Sequence, residues 1–194
     1  FFESAYSWGH GPQNTSFNVN KVVNRYLYSQ ETEHNPRLCF SFHNRSIDFL
    51  LSWLLVQSES TTMYKPIKFQ SFDEFVKKHR SYNNSLPVEA SLKGVRQMLK
   101  DIKSNKTINV ASDQVPQRKL GTESYFFGRK CYSTTIVSSL AKKMNNLPIM
   151  VHVSKPNKSI YSIIFTPSSP LIKLDDGHKY MNQLFEAEIS KNPK

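Results

Sequence analysis

Apolar positions along the chain fall into two kinds of pattern, short runs and longer stretches with helical spacing. The short runs predict strands at residues 37–42, 61–64, 107–111, 148–153 and 160–166. The longer stretches predict helices at residues 48–57, 72–80, 90–103 and 133–144, followed by a last helix that Asp175 can cap. Strands and helices therefore alternate along most of the chain, which is typical of an α/β domain.

Three of these helices have a recognisable inward face. The face of helix 90–103 consists of Leu92, Val95, Met98, Leu99 and Ile102. In helix 133–144 we expect Ser133 or Thr134 to be the N-cap, and the core positions are Ile136, Val137, Leu140 and Met144. In the last helix, the side chains expected to point inward are those of Met181, Leu184, Phe185 and Ile189.

A histidine and an aspartate, whose side chains can exchange protons, come directly after predicted strands. His43 follows the run at 37–42, and Asp113 follows the run at 107–111. In open α/β sheets, functional groups gather beyond the carboxyl ends of the strands. This coincidence is a first physical indication of a site.

The residues before these elements look like a leader. Residues 1–20 are first aromatic and then polar, and residues 21–194 form the predicted domain. No run reaches the roughly 18 apolar residues that a membrane-spanning helix requires. Because the sequence begins at Phe1 rather than at a methionine, we expect an upstream membrane anchor that it does not contain.

Composition narrows the classes of partner. The formal net charge is +11, from 26 Lys and Arg residues against 15 Asp and Glu. Such an excess indicates a polyanionic partner, and nucleic acid, an anionic membrane and an acidic protein all qualify. Cys39 and Cys131 are widely spaced and form no C-x-x-C motif, so we expect reduced thiols rather than a disulfide framework.

The segment from His43 to Asp48 is the strongest candidate for chemistry. Within one helix, residues five apart are separated by roughly 500°, so a contact between them requires His43 to precede the helix. Ser46 is a good N-cap candidate and places Asp48 in the first turn, where the helix N-terminus favours a carboxylate. A carboxylate on one imidazole nitrogen leaves the other nitrogen free to act as a base.

Several motifs resemble, in order and spacing, those of the late acyltransferases that complete lipid A in Gram-negative bacteria, the lauroyl and myristoyl transferases. The matching segments are His43-x4-Asp48, Tyr64-Lys65-Pro66, Arg80 after a helix, Asp113-Gln114 after a strand, Phe126-Phe127-Gly128, and Asp175-Asp176 through Glu186-x-Glu188. The resemblance begins at Asn20 and runs to the end of the chain. It implies a single domain similar to the glycerolipid acyltransferases, with a mixed, mostly parallel sheet flanked by helices.

The resemblance also implies an activity and a set of residue roles. The family transfers a fatty acyl chain from acyl carrier protein to a hydroxyl of a lipid A precursor, without a cofactor or a metal. By resemblance, His43 is the general base, Asp48 orients it, and Arg80 stabilises charge on the acceptor phosphate or the oxyanion. Asp113 and Gln114 lie in the region of the site, and Lys77 belongs to a basic cluster beside it that suits an anionic substrate.

The implied partners are acidic acyl carrier protein, the lipid A precursor and an anionic membrane surface, with no nucleic acid. The implied location is the cytoplasmic face of the inner membrane, held peripherally or by an N-terminal anchor. Family members usually carry such a hydrophobic helix and an aromatic, Arg-rich C-terminal tail. Neither segment is visible in this sequence, so we expect either that the chain is trimmed or that the anchor has been lost.

Three alternatives remain open at this stage. Another H-x4-D acyltransferase would share the dyad and act on a different glycolipid or phospholipid acceptor. A non-enzymatic nucleic-acid-binding module could stack bases on Tyr125, Phe126 and Phe127 beside Arg129 and Lys130. A zinc site from His34, Cys39 and His43 has few ligands and no familiar spacing.

Overall fold

The computed structural model describes residues 2–16, 18–29, 36–44, 47–116, 120–157 and 160–191. The strands are β1 (Val19–Val23), β2 (Leu38–Ser41), β3 (Ser60–Tyr64), β4 (Leu86–Glu89), β5 (Thr107–Ala111), β6 (Gly121–Phe126), β7 (Arg129–Thr134), β8 (Ile149–Asn157) and β9 (Ile160–Pro167). The α-helices are α1 (Phe2–Ser16), α2 (Tyr26–Ser29), α3 (Ile47–Gln57), α4 (Gln70–Arg80), α5 (Leu92–Lys103), α6 (Ile136–Ala141) and α7 (Gly177–Lys191), with short 3-10 turns at Tyr82–Asn84 and Pro170–Lys173.

Seven strands of the described chain form one sheet in the order β1-β9-β8-β2-β5-β3-β4. Only the β8–β9 pair within it is antiparallel, and the other described pairs are parallel. The α/β class and the mixed, mostly parallel sheet expected from the sequence are therefore confirmed. The carboxyl ends of β2 and β5 lie side by side in the middle of this sheet.

Alternate residues of the central strands point to opposite faces of the sheet, and both faces pack against helices. In β2, Leu38 and Phe40 join a core cluster with residues of α5, α6 and α7, whereas Cys39 joins a second cluster with residues of α3. The central strands are buried on both sides, as expected for parallel strands between helical layers. The sheet is thus the rigid base from which the loops at its carboxyl edge project.

The predicted inward faces of α5 and α7 agree with the structure except at the N-terminal end of α5. Met98 and Ile102 of α5 are buried, but Leu92 is largely exposed at the first turn. In α7, Met181 and Phe185 are buried, and Leu184 and Ile189 pack against the same core. Periodicity identified these faces, and the exception lies at the helix end, where the capping Ser91 accepts a hydrogen bond from the Gly94 amide.

The predicted helix at residues 133–144 is wrong at its start. Ser133 and Thr134 end strand β7, and α6 begins only at Ile136. The Thr134 hydroxyl still accepts a hydrogen bond from the Ile136 amide, at 3.2 Å. Strand β7 pairs with β6 in a hairpin whose turn residues, Phe127 and Gly128, both have positive φ. That backbone conformation is the one that two-residue hairpin turns require.

The segment predicted as a leader has structure of its own. Residues 2–16 form α1, which packs against α3, and β1 begins at Val19 and pairs with β9. No helix within the described ranges is long and apolar enough to cross a bilayer.

Candidate active site

Parallel pairing of β2 with β5 places His43 beside Asp113. Ser41 is opposite Ala111 in the register, and each candidate residue lies two positions beyond its strand. The amide of Ser112 continues the pairing by donating to the Ser41 carbonyl at 2.9 Å. Two residues that are 70 positions apart in sequence therefore meet because of strand order and register.

The Asp113 carboxylate holds His43 through two contacts. Its Oδ1 lies 2.6 Å from the His43 Nδ1, and its Oδ2 accepts the His43 backbone N–H at 2.8 Å. With the ring proton on Nδ1, the lone pair of Nε2 is directed away from Asp113. The Gln114 side-chain nitrogen lies 3.3 Å from that Nε2, in position to donate to it. A substrate hydroxyl that displaces the Gln114 amide would meet Nε2 as a general base.

Electrostatics around the imidazole support this role. The hydrogen bond with Asp113 raises the pKa of His43, while burial opposes the increase. The charge of Asp48 raises the same pKa further, and that of Arg80 lowers it. Burial of Asp113 works against its ionisation, but the hydrogen bonds from His43 outweigh this effect and lower its pKa. The carboxylate thus stays charged and stabilises the imidazolium that forms when the base takes a proton.

The predicted contact between His43 and Asp48 is wrong, because Asp113 occupies the imidazole Nδ1. Asp48 lies in the first turn of α3, as expected, and accepts a hydrogen bond from Arg80 at 2.6 Å. The expected N-cap, Ser46, falls outside the described residues. A catalytic role for Asp48 remains a prediction, and its direct partner is the guanidinium at the end of α4.

The ion pair between Asp48 and Arg80 is largely dehydrated, with side-chain exposures of 8% and 15%. The Arg80 Nε is buried without a hydrogen-bond partner among the described residues. The guanidinium also lies 5.8 Å from the centre of the Tyr64 ring. One carboxylate therefore compensates most of a buried positive charge, and that charge remains within electrostatic reach of His43.

Replacing Asp48 with asparagine should lower the free energy of unfolding by roughly 3 kcal/mol, because it leaves the Arg80 charge buried without compensation. Urea-induced unfolding followed by circular dichroism would measure the change. Asp176→Asn is the matched control, since Asp176 pairs with Lys179 on the exposed surface. The double variant Asp48→Asn, Arg80→Met should recover part of the loss. Equal stability of wild type and Asp48→Asn would contradict the account.

Lys77 lies on the same helix as Arg80 but is engaged elsewhere. Its ammonium group is 2.8 Å from the Asp73 carboxylate and 5.7 Å from the centre of the Tyr64 ring. Asp73 in turn accepts the Ile67 amide at 2.9 Å and so ties down the loop before α4. The predicted role of Lys77 in substrate binding stays a prediction, and its observed contacts stabilise the start of α4.

A cavity of about 430 Å³ opens beside His43, Asp113 and Gln114. This volume is within the range of roughly 300 to 1,000 Å³ that is usual for small-ligand sites. Its apolar walls include Phe42, Val153 and Phe185, whereas Asp48, Arg80 and Lys77 are not among its described lining residues. The predicted site residues therefore divide into a group that lines the cavity (His43, Asp113 and Gln114) and a group that does not.

Part of the cavity wall is polar, which the sequence did not indicate. His152 and Glu188 both line it, and their Nε2 and Oε1 atoms are 3.2 Å apart. Burial lowers the pKa of His152, although the charge of Glu188 opposes this. Asn182 adds hydrogen bonds to Ser133 and to the Tyr125 carbonyl. A lone histidine in an apolar strand gives no signal by spacing, so only the fold shows that it faces Glu188.

The described residues contain no group of three metal-ligating side chains. Cys39 is buried within β2, and His34 of the zinc alternative lies outside the described ranges.

Comparison with known protein families gives a match for this chain. The sequence model of the bacterial lipid A biosynthesis acyltransferases matches residues 24–194. This range contains His43, Asp48, Arg80 and Asp113 and covers most of the chain. No curated protein matches the sequence significantly.

Proposed function

Because this chain belongs to the bacterial lipid A biosynthesis acyltransferase family, we propose that it transfers a fatty acyl chain from acyl carrier protein to a hydroxyl of a lipid A precursor. Transfer would take place at the cytoplasmic face of the inner membrane, where a carrier-bound thioester and a membrane lipid can meet. The net charge of +11 suits both an acidic carrier and a phosphorylated acceptor.

The observation that carries this proposal is that His43 lines the cavity and its Nε2 points away from Asp113, with the Gln114 amide as its neighbour. Asp113 fixes the ring through Nδ1 and the backbone amide, so Nε2 is held in one direction. A hydroxyl that enters the cavity can place its proton within hydrogen-bond reach of this nitrogen. The substrate oxygen then serves as the nucleophile, and no serine or cysteine of the enzyme is needed.

The proposed reaction proceeds through one tetrahedral intermediate. As the acceptor oxygen forms a bond to the thioester carbonyl carbon, its proton moves to Nε2 of His43. The intermediate then collapses with cleavage of the C–S bond, and the imidazolium returns its proton to the departing sulfur. The products are the ester and the free thiol of the carrier. Asp113 stabilises the transient imidazolium, whereas Arg80, which is paired with Asp48 and does not line the cavity, acts on the site only through its charge.

The polar wall of the cavity favours the acceptor over the donor chain as its occupant. Methylene groups packed against Glu188, His152 and Asn182 could not hydrogen-bond to them. A hydroxyl-bearing part of the acceptor can hydrogen-bond to them instead. We therefore place the acceptor on this side of His43.

Incubation with radiolabelled lauroyl- or myristoyl-acyl carrier protein and a lipid A precursor tests the proposal. We expect label to appear in the lipid product as a hydroxylamine-sensitive ester, in amounts proportional to the enzyme. Omitting the acceptor should leave only slow hydrolysis. Label transfer to lysophosphatidic acid but not to the lipid A precursor would show a different acceptor. Absence of transfer to either acceptor from both donors would refute the proposal.

A further inference from the structure

Helix α4 and the segment before it present a row of exposed aromatic side chains. Phe69, Phe72 and Phe75 recur every three residues and so share one side of the helix. Phe69 is 77% exposed and Phe75 is 42% exposed, which is unusual for phenylalanine in a folded domain. The buried residues of α4 are Asp73 and Val76.

Phe72 and Phe75 form a continuous aromatic surface with Trp8 and His79. The rings of Phe72 and Phe75 are stacked with centroids 6.2 Å apart, and Phe75 contacts His79 at 4.3 Å. Trp8 of α1 packs edge-on against Phe72, at 5.3 Å between ring centroids. A contiguous, solvent-exposed apolar surface of this kind indicates an interaction site.

Three lysines accompany these rings. Lys65 and Lys68 lie in the segment that leads to Phe69, and Lys78 is one helical turn beyond Phe75. All three are exposed and have no ion-pair partner among the described residues. Of the two acidic residues in α4, Asp73 is paired with Lys77, and Glu74 accepts from Gln70 at 3.0 Å. Phe69, Phe72, Phe75, Lys65, Lys68 and Lys78 are called the aromatic-basic face below.

We propose that the aromatic-basic face docks on an anionic membrane surface. Aromatic rings on one side of an amphipathic helix enter the boundary between headgroups and acyl chains, while neighbouring lysines contact lipid phosphates. Charge complementarity and the exposed rings together favour this occupant over an acidic protein, because lysines alone would suffice for a purely electrostatic contact. Phe69 has the greatest exposure and is expected to insert furthest.

This docking would orient the catalytic domain. The α4 helix ends at Arg80, whose charge reaches His43, so a membrane-bound α4 holds the site close to the lipid surface. The inference rests on the proposed function for its biological meaning, since a lipid acceptor has to be drawn from a bilayer. Its physical content, binding to lipid, can be measured without turnover.

Cosedimentation of the 194-residue chain with vesicles tests the inference. The probes are vesicles of phosphatidylcholine mixed with phosphatidylglycerol, and vesicles of phosphatidylcholine alone. We expect binding to the anionic vesicles that weakens as salt is added, because mobile ions screen the attraction. Lys65→Gln, Lys68→Gln, Lys78→Gln should weaken it on the order of a hundredfold. Phe69→Ser, Phe75→Ser should weaken it about tenfold or more.

Matched controls separate this face from general effects of charge and hydrophobicity. Lys93→Gln, Lys100→Gln, Lys103→Gln removes the same charge from α5, where all three lysines are exposed. Leu171→Ser, Leu174→Ser removes two exposed apolar side chains from the 3-10 turn and its end. Both controls should bind anionic vesicles nearly as tightly as the wild type.

The inference is overturned if the control variants lose as much binding as the variants of the aromatic-basic face. It is also overturned if the chain binds an acidic protein such as acyl carrier protein through these residues while ignoring vesicles. His43→Ala distinguishes the two proposals, since it should abolish transfer yet keep full vesicle binding. Vesicle binding without transfer by the wild type would therefore count against the proposed function alone.

Discussion

Replacing His43 with alanine should lower kcat/KM for acyl transfer by about a thousandfold, with little change in stability. The imidazole Nε2 is the group that accepts the hydroxyl proton, and the side chain is 32% exposed, so its loss leaves no buried cavity. Initial rates with a saturating acyl donor and varied acceptor would measure the effect. A loss in kcat with little change in KM indicates removal of an interaction made in the transition state.

His10→Ala is the control for this prediction. His10 stacks on Tyr6 in α1 and hydrogen-bonds to the Tyr6 carbonyl, remote in sequence from the candidate site. Its replacement should leave the transfer rate close to that of the wild type. Melting curves of both variants would show whether either change disturbs the fold. Transfer within tenfold of the wild-type rate in His43→Ala would exclude the imidazole as the base.

The second large effect is expected from Asp113→Asn, which should lower kcat by about a hundredfold to a thousandfold. The amide cannot stabilise an imidazolium as a carboxylate does, and it can hold the ring in the wrong tautomer. Asp113 also accepts the His43 backbone amide, so the position of the ring depends on it. The rate with a saturating acceptor is the quantity to compare.

The pH profile provides an independent test of the same contact. The base must be neutral to accept a proton, so log kcat should rise with pH and level off above the pKa of His43. The hydrogen bond with Asp113 raises that pKa above its usual value of 6.5, which places the wild-type midpoint on the alkaline side of 6.5. In Asp113→Asn the main cause of the increase is gone, so the midpoint should move to lower pH.

The variant Asp48→Asn distinguishes the role of Asp48 from that of Asp113 in the same pH measurement. The charge of Asp48 raises the pKa of His43 less than Asp113 does, and the direct contact of Asp48 is with Arg80. We therefore expect a smaller shift of the midpoint in Asp48→Asn, under conditions where the variant remains folded. A larger shift and a larger loss of kcat than in Asp113→Asn would restore Asp48 as the orienting residue.

Much of the fold could be predicted from the sequence, because the buried elements have strong periodicity. The strands at β2, β5 and β8 are apolar, and the faces of α5 and α7 recur with helical spacing. The elements that were missed have weak patterns. Strand β4 contains a proline, and the hairpin of β6 and β7 is largely polar. Their pairing depends on partners that are distant in sequence.

By itself the sequence determined that His43 and Asp113 follow strands and that Asp48 begins a helix. Which carboxylate meets the imidazole was decided only by the tertiary structure, because β2 and β5 are neighbours and pair with Ser41 opposite Ala111. Strand order and register are set by packing across the whole sheet and leave no trace in local spacing. The same packing turns Asp48 towards Arg80 and places His152 against Glu188 in the wall of the cavity.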